Sequence, residues 1–137
     1  MAGALPLGSV FGVSSAFREL LGGGTFAKGD LVKLSSGEAV VATAGDSVLG
    51  VANEAATSAS TGVQIDITPG LIVEMDNDLD SDTFGAADIG NYGDIIGSSG
   101  AHLVDTSSLS GTVATLFCIE RVDATTGRFV IKEHLLY

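Results

Sequence analysis

Short apolar runs separated by glycine-bearing turns make up most of the chain after residue 24. Within residues 25–54, such runs begin at Leu31, Val40 and Val48, and each follows a turn in which glycine stands beside Asp, Glu or Ser. Glycine provides the positive φ of tight turns, and Val-rich runs bounded by such turns are typical of strands. The pattern predicts an antiparallel β-meander, which we expect to be a rigid platform and not a reaction centre.

Two hairpins are predicted after the meander. Residues 62–68 alternate between apolar and polar side chains, and an apolar run follows at residues 71–75. Residues 112–123 and 128–134 form the second pair of runs. With about seven to nine strands in all, the fold class is all-β, as a small antiparallel sandwich or barrel-like domain.

The stretch between the two hairpins has fewer apolar residues. From the acidic run at residues 76–82 to about residue 100, the pattern predicts loops. A short strand is predicted at residues 102–104, and a polar turn region at residues 105–111.

Residues 1–24 have a different pattern and are predicted to be an N-terminal arm, followed by a β-rich domain over residues 25–137. Apolar residues in the arm recur at helical spacing, which predicts a short helix capped by Ser9 and ended by the three glycines at 22–24. The members of this stripe are Val10, Val13, Phe17, Leu20 and Leu21. Three interpretations stay open: a helix packed on the protein's own core, an arm reaching a neighbouring subunit, or disorder.

Charge is unevenly distributed along the 137 residues, whose net charge is −11. From Leu34 to Glu120 there is no Lys or Arg, whereas thirteen acidic residues lie there. Nucleic acid and anionic membranes require a basic footprint, so neither is predicted as a partner. Two explanations of the charge stay open: colloidal solubility, or an acidic middle that faces solvent while the two ends meet a partner.

The residues that could carry chemistry do not form a recognisable catalytic, cofactor-binding or metal site, so we expect no enzyme activity and no cofactor. Asp76, Asp78 and Asp80 alternate as in the start of an EF-hand loop. The match then fails, because Ser81 stands at the glycine position and Ala87 at the position of the bidentate Glu. A solvated acidic loop is the preferred interpretation, and another type of calcium site is the alternative.

Cys118 and the two histidines are predicted to be structural. Cys118 lies in an apolar run and is expected to be a buried, unreactive thiol. His102 and His134 stand apart from other candidate ligands, and a structural or exposed role is expected for each. No signal peptide and no membrane-spanning helix are predicted.

Several segments of the β-rich region resemble the head-decoration, or capsid cement, proteins of tailed bacteriophages. In the meander the resemblance is carried by FAKGDLV at residues 26–32, SGEAV at 36–40 and VLGVA at 48–52. Further segments that match the family's later strands are residues 62–67, 70–75, 93–97, 102–106 and 128–131. The resemblance covers about residues 25–132.

This resemblance implies a structural virion protein, made in the host cytoplasm and bound as a trimer to the outer surface of the expanded capsid. It would cement neighbouring major capsid proteins and stabilise the head against internal DNA pressure, with residues 1–24 as the docking arm. Another virion β-module, such as a tail-tube, head-fibre or adhesion component, is the alternative. The predicted capsid or subunit contacts are the apolar residues at the two ends of the chain: Leu5, Leu7, Val10, Phe11, Val13, Phe17, Leu20, Leu21, Leu135, Leu136 and Tyr137.

Overall fold

The computed structural model describes residues 2–78 and 83–135, and over these residues the protein is all-β, as predicted. The strands are β1 Leu5–Ser9, β2 Phe17–Gly22, β3 Leu31–Ser35, β4 Glu38–Val41, β5 Gly50–Ala52, β6 Val63–Asp66, β7 Leu71–Asp76, β8 Tyr92–Ile96, β9 Leu103–Ser110, β10 Leu116–Arg121 and β11 Thr126–Ile131. Short 3₁₀ helices lie at Ala86–Asp88 and Lys132–Leu135. The strands form a closed barrel in the order β2-β4-β3-β5-β6 and a six-stranded sheet in the order β1-β7-β11-β10-β8-β9.

The three strands predicted as a meander are present in the barrel, but β3 lies between β4 and β5, so the order is not that of a meander. β3 pairs antiparallel with β4, where Val32 faces Val41, and with β5, where Leu31 faces Val51. Ser36 and Gly37 join β3 to β4, and both have positive φ, at 51° and 81°. This is the turn geometry that matches the right-handed twist of a two-residue hairpin. The glycine-bearing turn therefore specifies the hairpin as the sequence pattern indicated.

The short helix predicted in the N-terminal segment is not present, and two strands occupy this segment. β1 joins the six-stranded sheet beside β7, whereas β2 joins the barrel between β6 and β4. Gly12 lies inside the predicted helix and has φ of +69°, which is outside the right-handed helical region. A helix of this length is also marginal by itself, whereas pairing with existing strands satisfies the backbone groups.

The first of the two predicted hairpins is wrong, although both of its strands form. β6 pairs with β2 and β5 in the barrel, whereas β7 pairs with β1 and β11 in the six-stranded sheet. The turn at Pro69 and Gly70 therefore carries the chain from one sheet to the other.

Two further corrections concern the region after the acidic run. β8 lies inside the stretch predicted to be loop, and β9 continues to Ser110 across the predicted polar turn. β9 is an edge strand, where polar side chains can face solvent while the backbone pairs with β8. At the end of the chain, the 3₁₀ helix Lys132–Leu135 replaces the end of the predicted returning strand.

The barrel and the six-stranded sheet share one hydrophobic core. Leu31 and Val51 from the barrel belong to the same buried cluster as Val73 and Phe129 from the sheet. A second cluster, which includes Val32 and Ile65, fills the interior of the barrel. The two sheets are therefore joined by packing as well as by the chain itself.

Candidate functional site

The N-terminal segment exposes an unusual number of large apolar side chains. Of the twelve such side chains exposed in the described part of the chain, seven lie between residues 5 and 21. We call these seven the N-terminal apolar surface: Leu5, Leu7, Val10, Phe11, Val13, Phe17 and Leu21. Single exposed apolar residues are normal, whereas large exposed apolar patches are typical of interaction sites.

β1 presents both side chains and backbone to a potential partner. Leu5 and Leu7 alternate along the strand, so they point to the same side, and they are 43% and 42% exposed. β1 is the first strand in the order of the six-stranded sheet and pairs with β7 along one edge. Its other edge is open, and Pro6 within it is a residue that sheets tolerate at edges.

The segment that follows β1 is held against the turn between β6 and β7. Val10 N–H donates to Gly70 O at 2.9 Å, and Ser9 Oγ donates to Pro69 O at 2.5 Å. A side chain at Gly70 would collide with the ring of Phe11, since its Cβ would lie 2.6 Å from Phe11 Cδ2. This close approach keeps Val10 and Phe11 in a defined position although both are exposed.

The start of β2 is anchored in the same way. Ala16 N–H donates to Thr68 Oγ1 at 2.9 Å, and Thr68 Oγ1 in turn donates to Asp66 Oδ1 at 2.6 Å. Ile67 N–H donates to Ala16 O at 2.9 Å. Phe17, the next residue, is thereby presented from a fixed backbone while its side chain stays 45% exposed.

The segment before β1 is inserted between the barrel and the six-stranded sheet. Gly3 N–H donates to His102 O and Ala4 N–H donates to Gly29 O, both at 2.8 Å. Gly3 has φ of +92°, and a Cβ there would lie 3.3 Å from Gly29 O. Hydrogen bonds therefore anchor the N-terminal segment before β1, between β1 and β2, and along both strands.

The remaining predicted contact residues fall in other environments. Leu20 is buried in the barrel cluster, so it packs internally and is not available to a partner in this conformation. Leu135 is half-buried at the end of the C-terminal 3₁₀ helix. Leu136 and Tyr137 lie outside the described residues, as do Asp80 and Ser81 of the acidic run.

His102 is a structural residue at the junction of the two sheets. It is fully buried, its Nδ1 accepts from Leu31 N–H at 3.1 Å, and its Nε2 donates to Ala42 O at 2.7 Å. The buried carboxylate of Asp30 lies 3.8 Å from Nδ1 and accepts from Gly100 N–H at 2.9 Å. Because both ring nitrogens are engaged with the backbone, the imidazole connects the start of β3 to the segment after β4.

The thiol of Cys118 is buried, as predicted. Burial raises the pKa of Cys118 above the ordinary value of a thiol, which lowers its thiolate fraction at neutral pH. This is the opposite of what a catalytic nucleophile requires.

Ionised groups with shifted pKa values belong to surface contacts. A hydrogen bond from Lys33 is the largest cause of the lowered pKa of Asp46. A hydrogen bond to Glu74 is the largest cause of the raised pKa of Arg128, which also contacts Glu120 at 3.1 Å. Within residues 2–78 and 83–135, no group of three or more His, Cys, Asp or Glu is placed to hold a metal ion.

The described residues also include no helix long and apolar enough to cross a membrane. Comparison with known proteins finds no matching family model, no matching curated protein and no matching solved structure. The N-terminal apolar surface is therefore interpreted from its own geometry and chemistry.

Proposed function

We propose that the protein is a non-enzymatic structural virion protein that binds the outer surface of the expanded phage capsid. In that position it cements neighbouring major capsid proteins and stabilises the head against internal DNA pressure. The observation that supports this proposal best is the N-terminal apolar surface, which is exposed and yet held in place by backbone hydrogen bonds. The cement-like sequence segments of the meander agree with it.

A cement protein requires contact area and rigidity more than reactive groups. Because the N-terminal segment is anchored before binding, little conformational entropy is lost when a partner covers it. Many copies on one lattice reinforce one another, so each contact can be modest. A protein that binds only the assembled shell stabilises that shell by mass action.

Self-association belongs to the same proposal. The open edge of β1 and the adjoining apolar side chains provide a surface for a second copy as well as for the major capsid protein. We propose a homotrimer in which part of the N-terminal apolar surface meets the neighbouring copy and part meets the shell. The acidic middle of the sequence then faces solvent, with neither nucleic acid nor membrane as a partner.

Binding of the purified protein to decoration-free expanded heads tests this function. We predict that replacing Val10, Phe11 and Val13 together by Ser weakens binding by at least about tenfold, because burying even one such side chain contributes roughly 1.5–3 kcal/mol. Co-sedimentation with heads over a range of protein concentrations measures the effect.

The matched control replaces Ile89, Val113 and Val122 by Ser, since these side chains are equally exposed but lie elsewhere. The control variant is expected to bind like the wild type, and both variants to unfold at similar urea concentrations. Failure of the wild-type protein to bind expanded heads would refute the proposal. If electron microscopy of virions locates the labelled protein on the tail or on fibres, the alternative of a tail-tube, head-fibre or adhesion component is favoured.

A further inference from the structure

An apolar pocket of about 370 Å³ lies where the barrel meets the C-terminal 3₁₀ helix. Its apolar wall is formed by Leu34, Val48, Leu49 and Ile67. The size is within the range of pockets that bind small ligands or single side chains of a partner. Leu34 is 44% exposed near the end of β3, so it contributes accessible apolar surface to the pocket.

His134 lines the pocket and contributes an unsatisfied acceptor. Its side chain is 4% exposed, and Nε2 lies 2.8 Å from Leu49 O. A carbonyl oxygen only accepts, so Nε2 donates to it, and in the tautomer protonated at Nε2 alone the Nδ1 atom is an acceptor. Nδ1 is buried without a hydrogen-bond partner among the described residues.

Glu133 adds a second unsatisfied acceptor to the same pocket. Its Oε1 lies 3.4 Å from Lys132 Nζ, whereas its Oε2 is buried without a hydrogen-bond partner. Native proteins rarely leave buried polar atoms unpaired, so two such atoms at one pocket call for donors from outside the described chain. The missing chemistry is a hydrogen-bond donor attached to an apolar body.

Charge favours a cationic donor. The two lysines nearest in sequence to the pocket residues are already engaged, Lys33 with Asp46 at 2.8 Å and Lys132 with Glu133 at 3.4 Å. The chain as a whole carries a net charge of −11. An ammonium or guanidinium group would form charge-assisted hydrogen bonds with the carboxylate, and its methylene stem would lie along the aliphatic wall.

The pocket adjoins the N-terminal apolar surface. Ile67 belongs to the pocket wall, and its N–H donates to Ala16 O, next to the exposed Phe17. A partner that covers Phe17 is therefore within reach of the pocket.

We infer that this pocket binds a basic side chain, lysine or arginine, of the protein that covers the N-terminal apolar surface. The identity of this partner rests on the proposed function, whereas the chemistry of the pocket does not. Because Glu133 Oε2 and His134 Nδ1 are screened from water in the unbound protein, the cation reaches them through side-chain rotation on binding.

A series of three probes with the same apolar body tests the pocket alone: n-pentylammonium, 1-pentanol and pentanoate. Methyl NMR titration of the wild-type protein is expected to shift the signals of Leu34, Val48 and Ile67. We expect n-pentylammonium to bind at least about fivefold more tightly than pentanoate, because the Glu133 carboxylate attracts an ammonium group and repels a second carboxylate. Glu133→Gln should remove the preference for n-pentylammonium and leave 1-pentanol binding unchanged. Glu120→Gln removes a carboxylate remote from the pocket, so it should change neither the preference for n-pentylammonium nor the binding of 1-pentanol.

Two results would overturn the inference: equal binding of n-pentylammonium and pentanoate, or methyl shifts outside the pocket. In the head-binding assay, Glu133→Gln is expected to weaken binding about threefold or more, and Glu120→Gln is not. If n-pentylammonium binds the pocket but the wild-type protein does not bind heads, the proposed function fails and the site stands. If heads bind the wild type and Glu133→Gln equally well, the pocket is not part of that interface.

Discussion

At the scale of single residues, many of the acidic side chains have structural partners. Asp30 accepts from the N–H groups of Ala27 and Gly100, and Asp94 accepts from the N–H of Gly45. Asp123 accepts from the N–H of Thr125, which is the largest cause of the lowered pKa of Asp123. Part of the negative charge that suggested solubility or a solvent-facing surface therefore closes turns and joins loops.

From the sequence, replacement of Gly29 or Gly45 by Val is expected to damage folding more than changes at His102 or Asp78. Both glycines have positive φ, at 91° and 81°, so a β-branched residue would indeed be strained there. The structure nevertheless changes the expected ranking, because His102 is fully buried and bonded through both ring nitrogens. Replacing His102 should therefore damage folding about as much as replacing either glycine by Val.

The ion pair between Lys33 and Asp46 predicts a pH-dependent contribution to stability. The pKa of Asp46 is lower in the folded protein than in the unfolded chain, first because of Lys33 and then because of the Thr43 backbone. The stability is therefore present above the unfolded-state pKa and is lost as pH falls through the lower folded-state pKa. Lys33→Met is expected to cost about 0.3–1 kcal/mol near neutral pH, as partly exposed pairs do.

Urea unfolding of wild type and Lys33→Met at about pH 7 and about pH 3 measures this difference, which should shrink at the lower pH as Asp46 is protonated. Lys28→Met is the control, because the exposed Lys28 forms no ion pair among the described residues. A difference that is the same at both pH values would contradict the assignment.

At the scale of elements, the N-terminal segment contributes a strand to each of the two sheets. β1 extends the six-stranded sheet, and β2 closes the barrel by pairing with β6 on one side and β4 on the other. The same segment carries the N-terminal apolar surface. If this segment docks as proposed, its side chains are positioned by the fold before any partner arrives, because it also completes both sheets.

The junction between the start of β3 and the start of β9 gives a second prediction. His102→Ala is expected to reduce the free energy of unfolding by about 2–4 kcal/mol, since it creates a cavity and leaves Leu31 N–H and Ala42 O without their buried partner. Chemical denaturation measures the loss. Ser99→Ala, in the exposed turn nearby, should stay within about 0.5 kcal/mol of wild type. A loss below about 1 kcal/mol in His102→Ala would show that the junction relaxes easily.

At the scale of the whole molecule, the barrel and the six-stranded sheet should unfold together. They share one buried cluster, and the carboxylates of Asp30 and Asp94 connect loops across the junction. We predict one thermal transition with a calorimetric enthalpy close to the van't Hoff enthalpy. Two resolved transitions would contradict a shared core, and repeating the scan at several protein concentrations would reveal any stabilisation by self-association.

The strands with a strong local signal were predictable from the sequence. The predicted hairpin of residues 62–68 and 71–75 is an exception, because β6 and β7 form but pair in different sheets. The hairpin of β3 and β4 and the hairpin of β10 and β11 lie where apolar runs meet glycine-bearing or polar turns. In these hairpins the partner strand is a close neighbour in sequence, so pattern and turn chemistry together contain enough information. Exposed apolar residues at the N-terminus were also predicted as contacts, although Leu20 proved to be buried.

The pocket was not predictable, because it combines residues that no local pattern connects. Leu34 comes from β3, Ile67 follows β6, and His134 lies in the C-terminal 3₁₀ helix. The one signal in the sequence was the pair of polar residues Glu133-His134 after an apolar strand. A pair of this kind is common on protein surfaces, and only its burial makes it informative.

The sequence by itself determined the all-β class and the hairpins of β3 with β4 and of β10 with β11, because alternation of side chains and turn residues act over a few positions. Only the tertiary structure decided the conformation of the N-terminal segment, which pairs far along the chain, as in Leu5 with Glu74 and Phe17 with Asp66. The tertiary structure also decided β8 and β9, because their sequences are weak strand signals and backbone pairing stabilises the two strands. Long-range pairing outweighed local helical spacing because it satisfies backbone hydrogen bonds that a short isolated helix cannot maintain in water.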